Sequence, residues 1–313
     1  MDLTVLFSTH NGADVLPFVL DAYARQSCDC TWNMVVVNNA STDETAECLR
    51  SYSSRLPLTV INHPVPGKNG ALNAALPKLE GSLIVVTDDD AIPAPDLLNQ
   101  WARIAKAQPD FDLFGGQVDL LFQKEPPAWM LESRFHFAEL FAACNHMEGP
   151  IDAGDIFGPN MAVRRAVFDK GITFNEAIGP NANNRTYPMG SETEFCLRLE
   201  SLGYRSFFAS GPRVQHIVRP HQVSPSFWNF RAYRHGLGVG LRERMERSEH
   251  IIPLRRRLPS VVLGRLRQAK GYLAFRSSLA DTFDAHEGLW NYHWHRGYTD
   301  ARGHPRIEEI HAA

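Results

Sequence analysis

The feature that most constrains this chain is a regular alternation of short apolar runs and helical patterns over its first third. Leu3 to Ser8 is an apolar run of the kind a strand buried on both faces requires. The turn signal Thr9-His10-Asn11-Gly12 ends it, and Leu16, Val19, Leu20 and Tyr23 then recur at helical spacing. Met34 to Val37, Leu58 to Ile61 and Ser82 to Thr87 repeat the strand pattern, and Phe114 to Phe122 gives it once more. Between them fall a helix carrying Ala46 and Leu49, where Ser41 and Glu44 fit a capping box, and a helix carrying Leu72, Ala75 and Leu79. Strands that alternate with helices build a parallel sheet flanked by helices, and such sheets bind ligands beyond the carboxyl ends of their strands. Three polar clusters fall at that edge: Thr9-His10-Asn11, Asn38-Asn39 and Asp88-Asp89-Asp90.

The later sequence is less regular. Pro126-Pro127-Ala128-Trp129 breaks the pattern, and Gly154 to Val163 mixes Gly and Pro with apolar residues, as a loop feeding a strand does. Gly179 to Ser191, rich in Gly, Asn and Pro, suggests a mobile loop before a helix from Glu192 to Leu202. Beyond Phe227 the pattern is mainly helical and basic.

The triple aspartate is the sharpest chemical signal. Carboxylates crowded at a strand end raise one another's pKa unless a cation sits among them, and oxygen ligands favour Mg²⁺ or Mn²⁺. Strand alternation sends Asp88 and Asp90 one way and Asp89 the other. The competing reading is a solvated acidic turn or helix cap before Ile92-Pro93.

The segments STHNGADVLPFVLDAYARQS, MVVVNNASTDET, GKNGALNAAL and LIVVTDDDAIPAPDLL resemble the family 2 glycosyltransferases. GPNMAVRRAVF, GSETEFCLRLESLGYR and VQHIVRPHQVSPSFWNFRAYRHGLG resemble that family's acceptor-side half, so the likeness runs from about Asp2 to about Gly240. It implies an α/β chain of the GT-A fold, a Rossmann-like, mostly parallel sheet flanked by helices, with a helical C-terminal extension. Residues 1–115 would bind the nucleotide sugar, 116–226 would form the acceptor-binding and catalytic half of the same domain, and 227–313 the extension. The implied activity is an inverting, metal-dependent sugar transfer, a hexose being the expected sugar, from a nucleotide-sugar donor, UDP-sugar first, to a hydroxyl acceptor in polysaccharide, glycolipid or glycoconjugate synthesis.

The resemblance also implies roles for single residues. Thr9, Asn11, Asn38, Lys68, Asp88 and Asp89 would bind the donor, and Asp90 with His216 would hold Mn²⁺ or Mg²⁺. Asn38 stands where the family commonly has an acidic residue; an amide both donates and accepts, so guanosine and thymidine stay open beside uridine. Glu192 aligns best with the catalytic base, with Glu194 as the alternative. The same residues also read as helix capping, with Ser191 as N-cap and Glu194 at the capping-box position. Arg219 and Arg231 could neutralise phosphate. Trp129, Trp228 and Phe227 could stack on sugars, although aromatics more often belong to a core.

Other classes fare worse. A nucleotidyltransferase on a similar sheet usually needs a Gly-rich, basic loop near the N-terminus, and Thr9-His10-Asn11-Gly12-Ala13 has neither feature. A P-loop motif is absent. A non-catalytic nucleotide-sugar-binding or scaffold protein remains the rival from another class. The formal net charge of −3 excludes a nucleic-acid binder acting by bulk positive charge. That sum conceals a basic segment: residues 242–276 carry ten Lys/Arg against three Glu. It could lie on an anionic membrane surface or form a solvated basic face. Five cysteines without a CxxC pair, and an N-terminus without leader features, suggest reduced thiols in a cytoplasmic protein, with the basic segment at the inner face of the membrane.

Overall fold

Alternate residues of each central strand feed two different cores. In the computed structural model, which describes residues 1–132, 137–246, 266, 269–270, 273 and 282–303, Leu3, Val5 and Phe7 pack with Leu16, Leu20 and Trp101. Leu6 turns the other way, toward Leu72, Ile84 and Val86. This period-two division explains why the strand sequences are apolar throughout: helices cover both faces.

Five strands carry the N-terminal part: β1 (Leu3–Thr9), β2 (Trp32–Asn39), β3 (Leu58–His63), β4 (Leu83–Thr87) and the short β5 (Ala91–Pro93). The helices α1 (Leu16–Ala24), α2 (Thr45–Ser51), α3 (Lys68–Ala75) and α4 (Leu97–Ala107) lie among them. The remainder contributes β6 (Leu113–Phe122), α5 (Ala128–Glu132), α6 (Phe137–Phe141), β7 (Gly149–Pro150), β8 (Asn160–Arg164), α7 (Arg165–Asp169), α8 (Ser191–Ser201), β9 (Ser206–Val218), α9 (Pro225–Glu246) and α10 (Phe283–Gly303).

The sheet order is β3-β2-β1-β4-β8-β6-β9-β5, with β7 added on β9. β1 pairs in parallel with β2 and β4, and β2 with β3, as the alternation requires. The second half turns the sheet mixed: β8 runs antiparallel to β4 and β6, and β5 antiparallel to β9. The expected helical extension is present as α9 and α10, which pack against each other and, through Trp228 and Trp290, against Trp129 of α5.

Three local expectations need correction. Helix α2 starts at Thr45, and Asp43, not the Ser41–Glu44 pair, ties its first turn: Asp43 Oδ1 accepts from Thr45 N at 3.1 Å and Thr45 Oγ1 at 2.5 Å. Cys28 and Cys30 are joined as a disulfide, so the reading of all five thiols as reduced fails there; Cys48, Cys144 and Cys196 are free. Trp129 and Trp228 are core residues meeting edge to face at 5.2 Å, which leaves no ring face for a sugar. Most of the basic segment 242–276 lies outside the described residues.

Candidate active site

Strand register assembles the site. The pairing of β1 with β2 sets Thr9 beside Asn38, and β4 delivers the three aspartates next to them. The chain then turns directly into β5, whose Ala91 pairs with His216 of β9, while Ile217 N donates to Asp90 O at 2.8 Å. A short antiparallel pairing thus brings together two residues 126 positions apart in sequence.

Each aspartate has a different partner. Asp88 Oδ1 accepts from Lys68 Nζ at 2.6 Å, Asp89 Oδ2 accepts from Thr9 Oγ1 at 2.5 Å, and Asp90 Oδ1 lies 3.1 Å from His216 Nε2. Lys68 Nζ also reaches Glu192 Oε1 at 2.5 Å, so one ammonium bridges the aspartate loop and α8. The Lys68, Asp88, Asp90, Glu192 and His216 side chains are only 13–21% exposed, so their charges act on one another with little screening. Burial pushes Asp89 up to about 7, with the Asp90 charge adding to it. Burial would likewise raise Asp90, but His216 overrides it and holds the carboxyl below its ordinary range. The converse holds for His216, where burial favours the neutral ring and Asp90 raises its pKa.

Asp88, Asp90 and His216 each offer a ligand atom within 4.8 Å of the other two. Two carboxylates and an imidazole suit a divalent ion such as Mn²⁺ or Mg²⁺. The His216 ring is held in one orientation. Its Nδ1 lies 2.6 Å from the Phe141 carbonyl oxygen, which can only accept, so Nδ1 carries the proton and Nε2 faces the aspartates.

The cleft around these groups has a volume of about 730 Å³. Its lining includes Thr9, Lys68, all three aspartates, Glu192, His216, Arg219 and Arg231. Three of the expected site residues stand elsewhere. Glu194 turns toward Arg198 at 2.9 Å, the i,i+4 partner on its own helix, and does not line the cleft. Asn11, exposed and with φ 51°, accepts from Thr42 N at 2.8 Å and joins the loops after β1 and β2. Asn38 is buried behind the wall, donating to Asn62 Oδ1 at 3.2 Å, while its own Oδ1 has no hydrogen-bond partner.

The N-cap of α8 is Gly190, at φ 95°, and not Ser191. Ser191 is the first helical residue, and its Oγ donates to Glu192 Oε2 at 2.7 Å. Glu194 therefore has no capping role, and Glu192 is aimed at the cleft by the helix start itself. Burial would raise the Glu192 carboxyl, but the Lys68 ammonium reverses this and keeps it below its ordinary value. Gly158 leaves room for it, since a Cβ there would stand 2.7 Å from Glu192 Cγ. Gly158, the Phe141 carbonyl, Glu139 and Arg242 are parts of the site that sequence reasoning did not single out. Gly158 alone had a signal, in the Gly-Pro-Asn turn.

The glycosyl transferase family 2 model matches residues 4–172. Among curated relatives, a dolichyl-phosphate beta-glucosyltransferase of Trichomonas vaginalis is 34% identical over 90 residues, covering 28% of this chain and 27% of that protein. A PGL/p-HBAD biosynthesis glycosyltransferase of Mycobacterium tuberculosis is 30% identical over 118 residues, covering 37% and 46%. These matches span less than half the length of either relative. Two solved structures share the fold at low identity. S. aureus TarS 1-349 in complex with UDP-GlcNAc has a TM-score of 0.53 at 16% identity, covering 96% of this chain and 92% of that one. The Pyrobaculum calidifontis mannosyltransferase in complex with GDP-Man and Mn²⁺ has a TM-score of 0.54 at 19% identity, covering 99% and 78%. No described helix is long and apolar enough to cross a membrane.

Proposed function

Because the chain belongs to glycosyl transferase family 2, we propose that it moves a sugar from a nucleotide-sugar donor to an acceptor hydroxyl by direct displacement with inversion. The observation that carries this reading is the placement of Glu192 on one side of Lys68 and the Asp88–Asp90–His216 cluster on the other. A displacement needs a base on the acceptor side and charge neutralisation on the leaving-group side, and Glu192 and the cluster would supply them.

Asp88, Asp90 and His216 would hold the metal ion, Mn²⁺ or Mg²⁺. When bound, such an ion supplies neutralisation of the charge growing on the departing nucleoside diphosphate. Glu192 takes the acceptor hydroxyl proton as that oxygen attacks the anomeric carbon, and Lys68 keeps the carboxylate ionised for the purpose. Thr9 fixes Asp89 toward the donor. Asn38, buried behind the wall, is not part of the donor contact, and a UDP-sugar remains the first donor on the family resemblance alone. The acceptor is a hydroxyl-bearing sugar or lipid-linked saccharide. An anionic membrane contact through residues 242–276 would place the enzyme at a surface where such acceptors reside.

A panel of UDP-, GDP- and dTDP-sugars with Mn²⁺, read as nucleoside diphosphate release, tests the reading. Release with one member of the panel, lost on adding EDTA and restored by Mn²⁺ or Mg²⁺, is expected. Donor binding without release in the presence of any acceptor would make the protein a binding module instead.

A further inference from the structure

We propose that the wall of the cleft formed by α9 is an anion subsite centred on Arg231, which takes a phosphate group carried by the acceptor; this rests on the transferase reading above. Arg231, His235 and Arg242 recur at spacings of four and seven, so they share one face of α9, and all three line the cleft. Arg231 donates through Nε to the Glu139 carbonyl at 3.0 Å, which fixes the guanidinium plane and leaves its two terminal nitrogens for a ligand. One turn on, Arg234 is buried between the rings of Tyr187 and Phe230, each 4.6 Å away, with its Nε unpartnered. Among the described residues neither guanidinium has a carboxylate within ion-pairing distance.

Two neighbouring sheltered cations without a counterion are costly, and a ligand that brings the anion removes the cost. Burial already pushes Arg231 down to about 10. The Glu139 carboxyl also lines this wall, with one oxygen unpartnered, and burial raises its pKa, so it is a weak counterion. A planar guanidinium fork matches phosphate by two parallel hydrogen bonds.

The donor diphosphate could present the same chemistry, but it has its own cations. Arg219 and Lys68 both line the cleft, and Lys68 touches Asp88. Arg231 instead stands on the helix that packs against the start of α8: the Arg234 carbonyl, one turn on, accepts from Met189 N at 3.1 Å, three residues before Glu192. A phosphate held there lies beside the oxygen that Glu192 deprotonates, so the acceptor class is a hydroxyl compound bearing a nearby phosphate.

The test uses the full chain loaded with Mn²⁺ and saturated with whichever of UDP, GDP or dTDP it binds, titrated with sn-glycerol 3-phosphate and, separately, with glycerol. The wild type should bind the phosphate at least tenfold more tightly than glycerol. Arg231→Gln should erase that preference while nucleoside diphosphate affinity changes less than twofold. Equal binding of the two probes by the wild type, or a preference that survives Arg231→Gln, overturns the proposal. A parallel loss of nucleotide affinity also overturns it, assigning Arg231 to the donor. If circular dichroism shows that Arg231→Gln is unfolded, Arg231→Lys keeps the charge without the fork and should weaken the preference at least threefold; an unchanged preference overturns the proposal equally. A wild type that binds glycerol 3-phosphate but no nucleoside diphosphate would retire the transferase reading and leave the subsite standing.

Discussion

Lys68 holds Asp88 and Glu192 together across the cleft, and its removal should show in the pH dependence of turnover. A base must be ionised, so activity falls as pH drops through its pKa. The Lys68 ammonium keeps the Glu192 carboxyl low against the upward push of burial. Lys68→Met should therefore move the acid limb of the kcat profile to higher pH, and an unmoved limb would assign the base elsewhere. Glu192→Gln should cut kcat by about 10²–10⁴ with the fold intact by circular dichroism, the usual contribution of a general base. Asp90→Ala should abolish both Mn²⁺ binding, by calorimetry, and transfer. At this scale the sequence made the acidic cluster legible, because polar residues directly after a buried strand stand out; Glu192, in the first turn of a helix after a loop, was reached only through the family resemblance. It could not show Lys68 reaching Glu192, since 124 positions separate them and the contact depends on the packing of α3 against the start of α8. The Glu194–Arg198 pair at i,i+4 was visible and explains why Glu194 is drawn away from the cleft.

Helices α9 and α10 approach so closely that side chains are excluded at the contact. A Cβ on Gly236 would run into the Trp294 carbonyl oxygen, and one on Gly297 into that of Tyr233. Gly236→Ala or Gly297→Ala should cost about 1–3 kcal/mol by overpacking, read as a lower denaturation midpoint. Gly238 differs in what it meets: a Cβ there would strike the Met189 carbonyl oxygen, one residue before the Gly190 cap of α8. Gly238→Ala should thus lower kcat through Glu192 as well as stability. Among elements, β1 to β4 were legible from apolar runs bounded by turn residues. β5 was not, because three residues carry no period, and β9 hides behind the Gly211-Pro212 interruption in its middle. The antiparallel half of the sheet is set by long-range pairing, which local pattern does not encode.

For the whole molecule, the net charge of −3 averages an acidic cleft and a basic segment. If residues 242–276 contact membrane, flotation with anionic liposomes should exceed flotation with neutral ones and fall when these arginines are neutralised; equal flotation would remove the membrane from the proposal. The order in which the sheet is filled has a further consequence. β9 is the last strand in sequence yet lies inside the sheet, between β6 and β5, and it brings His216 to Asp90. During synthesis, domains take shape as the chain emerges. Asp88 and Asp90 precede His216 by more than 120 positions, so the three meet only once β9 has inserted. The last strand made is thus the one that completes the cluster.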